Sequence, residues 1–245
     1  MLFDFFTGLS AIVAGAIAAV AGFGLGSILT PVLSVKLGTQ IAVAAVSVPH
    51  FVATFVRFWM LRRDVDRHVL ITFGIMSAAG GLGGALLHSV VSSRVLSIVF
   101  AGLLMFAGVS AMTGYAQRMR FGSKAAWIAG ALSGLLGGLV GNQGGIRSAA
   151  LLGFQLERRA FVATATAIAL VVDGARMPVY LATAGNEMFS NSSLIVLSTI
   201  GALVGTFLGT AVLQRIPHDT FNRLVGILIF GLGVFMAVRA VLGHG

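Results

Sequence analysis

The stretch GNQGGIRSAALLG, from Gly141 to Gly153, interrupts one of the most apolar regions of the chain. It places three closely spaced glycines, two side-chain amides and an arginine between long uncharged runs. Glycine permits backbone conformations that other residues rarely adopt, and an arginine in apolar surroundings is costly. The role of Arg147 therefore depends on the solvent around it.

The composition indicates a membrane protein rather than a soluble one. Of 245 residues, 58% are hydrophobic and 9% are charged, whereas soluble domains carry about a quarter charged residues. A membrane helix needs roughly 20 apolar residues, and long charge-free runs occupy 5–35, 37–56, 69–93, 95–117, 125–146 and 188–214. Because these runs lack the two-residue alternation of membrane strands, the sequence predicts an all-α helical bundle.

The net charge of +9 comes from 16 basic and 7 acidic residues. Most basic residues stand in short connections between apolar runs, which is typical of membrane orientation signals and argues against nucleic acid as a partner. The chain has no cysteine, so disulfides and thiolate metal sites are excluded, and we expect no cofactor and no metal ion. Asp4 stands where a signal peptide would carry positive charge, so we expect the first apolar run to remain in the mature chain.

The chain contains an internal repeat. A shift of 119 residues aligns GFGLGSILTPVL (22–33) with GNQGGIRSAALL (141–152) and superposes Arg57 on Arg176. A shift of 125 aligns the later parts of the two halves, with the extra six residues falling near Asn186. The sequence therefore predicts two halves of a transporter, 1–117 and 124–245, joined by a basic linker at 118–123.

Each half holds one glycine-broken run and three ordinary spans, about eight helical segments in all, and the broken run either crosses the membrane or turns back. If it crosses, the basic residues divide seven to six between the two sides. If it turns back, the halves are inverted and ten basic residues share one side: Arg62, Arg63, Arg67, Arg118, Arg120, Lys124, Arg158, Arg159, Arg215 and Arg223. Lys36, Arg94 and Arg239 then share the outer side with Asp4, Glu187 and both termini. The ten-to-three bias favours inverted halves with re-entrant hairpins, and the alternative is eight simple spans with glycine-rich packing.

The glycines predict a protected centre near the membrane midplane. Non-helical backbone inside a bilayer is tolerated only where protein or a water-filled cavity surrounds it. The breaks contain Gly22, Gly24 and Gly26 in the first half and Gly141, Gly144 and Gly145 in the second. A half-helix begins after each break, near Ser27 and near Ile146, and its N-terminal N–H groups suit an anion.

Arg147 lies one turn into the second half-helix and adds a full charge to its positive end. Asn142 and Gln143 supply amide donors at the same break, whereas the equivalent positions of the first half are not polar. We therefore predict that Arg147 contacts an anion and that the second half carries more of the recognition. The alternative is a packing role in which Arg147 pairs with Asp173 or with a carbonyl group.

Polar residues mark one face of the span after each break: Ser47, His50, Thr54 and Arg57 in the first half, and Thr166, Ala169, Asp173 and Arg176 in the second. Spacings of three, four and three residues keep each set on one helix face, and such faces turn toward the bundle interior. Arg57 either lines the pathway or snorkels to the cytoplasmic surface. Asp173 and Arg176 either neutralise each other or contact the ligand. His50 is a candidate proton relay, and His88 is expected at the membrane interface.

The broken segments GFGLGSILTPVLSVKLG and GLVGNQGGIRSAALLGF, each followed by an alanine- and threonine-rich span, resemble the TauE/SafE sulfite-exporter family. The resemblance covers nearly the whole chain and implies a bacterial inner-membrane carrier of sulfite, sulfonates or other organosulfur anions. It assigns the family's glycine motif to the glycines of both breaks and its proline–leucine pair to Pro31 and Leu33. The second half departs from the pattern by having SAALL where a proline is often found, which leaves the substrate open.

The sequence favours a secondary transporter that exports a small anionic sulfur compound by alternating access. A membrane potential that is negative inside favours anion exit by about 2.3 kcal/mol per charge per 100 mV. Proton-coupled uptake is one alternative, with Asp173, His50 and His88 as relay groups, and an anion channel is another. An enzyme is disfavoured because no catalytic motif is present. GGLGG at 80–84 predicts close helix packing, within one chain or between the two copies of a homodimer.

Overall fold

The computed structural model describes residues 2–114, 123–142, 144, 147, 151, 154, 156–213 and 217–243. Nearly all of these residues lie in α-helices: α1 (Leu2–Ala21), α2 (Leu25–Leu37), α3 (Thr39–Leu61), α4 (Arg67–Val90), α5 (Ser93–Thr113), α6 (Ser123–Val140), α7 (Arg158–Ser190), α8 (Ser192–Leu213) and α9 (His218–Val241). A 3₁₀ turn, Arg62–Asp64, separates α3 from α4. The backbone of α7 kinks at Ala184.

Seven of the described helices are long and apolar enough to cross a membrane: α1, α3, α4, α5, α7, α8 and α9. α2 and the apolar part of α6, Trp127–Val140, are shorter. Large apolar side chains cover the outside of the bundle, and Phe5, Ile71 and Phe207 are each more than half exposed. A surface of this kind suits lipid rather than water. The prediction of an all-α integral membrane protein is confirmed.

The first glycine break joins α1 and α2 into a hairpin. Gly22 has φ 76° and Gly24 has φ 120°, values that side-chain-bearing residues rarely adopt, so α1 ends there. The chain then turns back, because the ammonium group of Lys36 at the end of α2 lies 5.6 Å from the ring centre of Phe3 at the start of α1. The corresponding segment after Gly141 lies mostly outside the described residues.

Two pairs of helices that the sequence shifts align, α3 with α7 and α5 with α9, run in opposite directions. Between α3 and α7, Asp64 pairs with Arg159 at 2.9 Å, whereas Ser47, earlier in α3, contacts Met177, later in α7. Between α5 and α9, Gly108 packs against Gly226 and Phe230, while the earlier Met105 packs against the later Gly233. In both pairs, residues later in one helix contact residues earlier in the other, so the two helices are antiparallel.

Two further helix pairs, α1 with α8 and α4 with α6, approach closely through glycine. On α4, a β-carbon on Gly80 or Gly84 would overlap the backbone of α6 at Ala131 or Leu135, and one on Gly81 would crowd Val172 of α7. On α1, Gly15 packs in the same way against Ala202 of α8. Small residues let backbones approach in this way. Within the GGLGG stretch, Gly80, Gly81 and Gly84 therefore allow close helix packing within one chain.

The two ends of the bundle carry different numbers of basic residues. The arginine end holds Arg62, Arg63, Arg67, Arg158, Arg159 and Arg223, since the α3–α4 connection and the starts of α7 and α9 lie there. The opposite end holds Lys36, Arg94 and Arg239, and there Arg239 donates to the hydroxyl of Ser34 at 3.1 Å. Asp4 and Glu187 lie at this opposite end too. Arg118, Arg120 and Arg215 lie outside the described residues.

Candidate functional site

The two glycine breaks touch each other inside the bundle. Gly22 and Gly141, which are 119 residues apart, have φ angles of 76° and 74°. A β-carbon on Gly26 would stand 2.6 Å from the carbonyl oxygen of Gly141, and one on Gly144 would overlap the side chain of Phe23. Each break therefore fills the space beside the other, and neither is exposed to lipid at this contact.

One arginine binds the helix end before each break. The guanidinium of Arg57 donates to the carbonyl oxygen of Ala18 in α1. That of Arg176 donates to the carbonyl oxygen of Gly137 in α6 at 2.8 Å. In each pair the donor residue lies 39 residues after the acceptor residue, and the 119-residue shift relates one pair to the other. Carbonyl groups at a helix C-terminus carry partial negative charge, which these cations compensate.

Arg57 does not extend to the membrane surface. Its side chain is 6% exposed and points to Ala18 and to the hydroxyl of Thr54, which it contacts at 3.3 Å. The snorkelling alternative for Arg57 is therefore wrong. Burial leaves its charge inside the protein, where water screens it little.

Asp173 lies between a histidine and an arginine. Its Oδ1 accepts from Nε of Arg176 at 3.0 Å and lies 2.8 Å from Nη2 of the same residue. Its Oδ2 lies 2.6 Å from Nδ1 of His50, across the contact between α3 and α7. Asp173 is fully buried and Arg176 is 2% exposed. All three nitrogens of Arg176 thus have acceptors, and Asp173 and Arg176 form the neutralising pair that their spacing suggested.

Two further side chains bind the last carbonyl groups of α6. The hydroxyl of Tyr180 donates to Gly138, and Nδ1 of His88 lies 2.8 Å from the carbonyl oxygen of Leu139. The two rings lie against each other with their centres 5.0 Å apart. His88 is 1% exposed, so its side chain is enclosed by protein rather than facing an interface.

The sequence alone did not indicate Tyr180 or the role of His88 at the end of α6. The available signal was Tyr180 itself, one helical turn after Arg176 and therefore on the same face of α7. In the first half the shift of 119 places Leu61 at the equivalent position. Among the described residues, the end of α6 therefore binds Arg176, Tyr180 and His88, whereas Arg57 binds the end of α1.

Among the described side chains, Arg147 is a buried cation with two guanidinium nitrogens that have no acceptor. It is 2% exposed, yet its Nε and Nη1 have no hydrogen-bond partner within the described part of the chain. Nδ2 of Asn142, which is 8% exposed, also lacks one there, as does Nε of Arg57. Arg147 interacts electrostatically with Asp173, Arg57 and Arg176. Three buried guanidinium groups and one buried carboxylate, that of Asp173, therefore lie in the same part of the interior.

The other predicted site residues lie around this centre or outside the described chain. Ser27 is buried at the start of α2, beside Gly26. Ser47 donates to the carbonyl of Ala44, and Thr166 donates to Val162 within its own helix. Ala169 is buried in α7. Gln143 and Gly145 lie outside the described residues. No observation tests the ligand contacts proposed for any of these residues, and those contacts stay predictions.

A comparison with family models matches residues 7–236 to the family described as sulfite exporter TauE/SafE. No curated protein and no solved structure matches the chain. The match covers both glycine breaks and the buried arginines beside them. The chain therefore belongs to the sulfite exporter TauE/SafE family.

Proposed function

We propose that this protein is a secondary transporter that exports small anionic sulfur compounds, such as sulfite or an organic sulfonate. The family's description as sulfite exporters supports the substrate class. The observation that carries the proposal is Arg147, a buried cation with two nitrogens that lack acceptors among the described residues.

The free donors around Arg147 favour an anion over other solutes. Nε of an arginine carries one hydrogen and Nη1 carries two, and the amide nitrogen of Asn142 adds two more. A buried donor without an acceptor costs about 1–3 kcal/mol. An oxyanion offers only acceptors, so its binding would satisfy these groups and neutralise charge, whereas a cation would add to the positive charge already present.

The meeting of the two breaks supports transport by alternating access. Corresponding helices run antiparallel, and the breaks contact each other through Gly26 and Gly141. This is the arrangement expected of inverted repeats that hold a substrate between broken helices. We infer that the halves at about 1–117 and 124–245 rock about the site that includes Gly22, Gly24, Gly26, Ser27, Asn142, Gln143, Gly144, Gly145 and Arg147.

The distribution of arginines supports an orientation. Because basic residues concentrate on the cytoplasmic side of membrane proteins, we infer that the arginine end is cytoplasmic and that both termini lie outside. We infer a bacterial cytoplasmic membrane from the family resemblance. A potential that is negative inside then favours anion exit by about 2.3 kcal/mol per charge per 100 mV, so export needs no coupled ion.

Proton-coupled uptake is the second candidate, and the contact between His50 and Asp173 favours it. The two side chains lie 2.6 Å apart, and the side chain of His50 is 12% exposed. A histidine beside a carboxylate is a suitable proton carrier. A proton gradient that drives accumulation of the anion would select this candidate over export.

Counterflow in proteoliposomes tests the function. Vesicles loaded with unlabelled sulfite should accumulate labelled sulfite if the protein is a saturable carrier, whereas a channel gives flux without exchange. We expect Arg147→Ala to lower the initial rate at least about tenfold, because one charge-assisted contact contributes about 1.5–3 kcal/mol. The matched control is Arg63→Ala, since Arg63 is exposed at the arginine end. Wild-type rates in the Arg147 variant would refute the site.

A further inference from the structure

We propose that the site selects doubly charged anions over singly charged anions of similar size. This inference rests on the proposed function, since it concerns the ligand of the Arg147 site. It specifies the charge of that ligand, which the family description leaves open. Its basis is the number and burial of the charges around the two breaks.

The charges at the site do not cancel. Arg57, Arg147 and Arg176 each contribute one positive charge, and Asp173 contributes one negative charge. With His50 neutral, the excess is two positive charges. A protonated His50 would raise the excess to three and would favour a dianion further.

No nearby acidic side chain makes up the difference. Both oxygens of Asp173 are occupied, Oδ1 by Arg176 and Oδ2 by His50. The other six acidic residues of the chain stand in the first or last turn of a helix or in a connection: Asp4, Asp64, Asp66, Glu157, Glu187 and Asp219. The carbonyl groups at the ends of α1 and α6 carry only partial negative charge, so we infer that the rest of the compensating charge comes with the ligand.

Burial makes the charge of the ligand decisive. The three arginines are 6%, 2% and 2% exposed, so their charges are screened much less than surface charges. Coulomb interactions in such surroundings are several times stronger than in water. A dianion removes the whole excess, whereas a monoanion leaves one buried positive charge without a counterion.

Sulfate and methanesulfonate provide a matched pair of probes. Both are tetrahedral at sulfur, with a methyl group of methanesulfonate in place of one sulfate oxygen, but at neutral pH sulfate carries two charges and methanesulfonate carries one. Thiosulfate is a second dianion of similar size. Affinity for each is measured on the full-length protein in detergent by isothermal titration calorimetry at constant ionic strength.

We expect the wild-type protein to bind sulfate and thiosulfate at least about tenfold more tightly than methanesulfonate. Arg57→Gln should lower that ratio to near unity, because it reduces the excess to one charge while it keeps a polar, uncharged amide at this buried position. Arg63→Gln, which changes an exposed arginine, should leave the ratio unchanged. If the Arg57→Gln variant does not fold, the affinity ratio of the wild-type protein still tests the selection of dianions.

The possible results separate this inference from the proposed function. Equal affinities, or tighter binding of methanesulfonate, would overturn dianion selection and leave an anion site at Arg147. Failure of all three anions, together with no effect of Arg147→Ala on sulfite counterflow, would remove both proposals. An Arg57→Gln protein that keeps the wild-type ratio would show that the charge excess does not set the preference.

Discussion

Gly26 packs directly against Gly141, so that a β-carbon on Gly26 would stand 2.6 Å from the carbonyl oxygen of Gly141. The first residues of one half-helix thereby touch the break of the other half. Real β-carbons do not approach a backbone oxygen so closely. The contact sets the spacing between the two breaks and keeps Arg147 and Asn142 near the first half.

The Gly26→Ala substitution should destabilise the protein and impair transport. The added methyl group must push the two breaks apart, and overpacking of this kind costs about 1–3 kcal/mol. We expect a lower melting temperature in detergent and slower sulfite counterflow. Gly102→Ala is the control, because nothing lies within 4 Å of the corresponding β-carbon in α5, and alanine is the better helix former by about 1 kcal/mol. A Gly26→Ala protein as stable and active as Gly102→Ala would show that the breaks do not pack as described.

The Arg147→Met substitution should raise or preserve the stability of the ligand-free protein while abolishing anion binding. The change removes donors that have no acceptors among the described residues, and each such donor costs about 1–3 kcal/mol. Thermal unfolding with and without sulfite measures both effects, since a bound ligand stabilises the folded state. Arg176→Met supplies the contrast, because Arg176 has acceptors for all three nitrogens. A large loss of stability in Arg147→Met would instead assign Arg147 a packing role.

The Asp173→Asn substitution should be among the most destabilising single changes in the chain. It leaves the buried charge of Arg176 without a counterion, and breaking a buried pair costs about 3–5 kcal/mol. Asp64→Asn is the matched control, because its partner Arg159 is 74% exposed and such pairs contribute about 1 kcal/mol or less. The measurement is the melting temperature of each variant. Similar small shifts for both variants would mean that other groups compensate the charge of Arg176 when Asp173 is neutral.

The sequence predicted the helical membrane fold and the residues of the buried polar centre. Apolar runs and the absence of two-residue alternation are properties of local sequence, so they determined the fold class. The 119-residue shift also paired Arg57 with Arg176, and both bind equivalent carbonyl groups. The two positions correspond because each arginine binds a carbonyl group near the end of a helix inside the bundle.

Contacts between helices that are distant in sequence could not be predicted. His88 lies next to Leu139 and Tyr180 only because α4 and α6 pack through Gly80 and Gly84. The same packing buries His88, whose position near the end of a span had suggested an interface. For Arg57, the sequence showed that basic residues follow at the end of its span. It could not show that the guanidinium binds the carbonyl group of Ala18 inside the bundle.

The Tyr180→Phe substitution should loosen the second break. It removes the hydroxyl that donates to Gly138 and leaves a buried carbonyl group unpaired, at a cost of about 1–3 kcal/mol. We expect a lower melting temperature and faster hydrogen exchange of the amide of Gly141. Thr183→Val is the control, because the exposed hydroxyl of Thr183 bonds only to Val179 in its own helix. Equal effects of the two variants would contradict a specific role for Tyr180 at the break.

Cysteine accessibility should place Glu187 and His68 on opposite sides of the membrane. The chain has no native cysteine, and both residues are exposed, one at the end of α7 and one at the start of α4. In intact cells, a membrane-impermeant thiol reagent should label the Glu187→Cys variant at once and the His68→Cys variant only after permeabilisation. The reverse pattern would overturn the proposed orientation and place the arginine end outside. Labelling of both variants from one side would contradict the helix directions themselves, because the end of α7 and the start of α4 lie at opposite ends of the bundle.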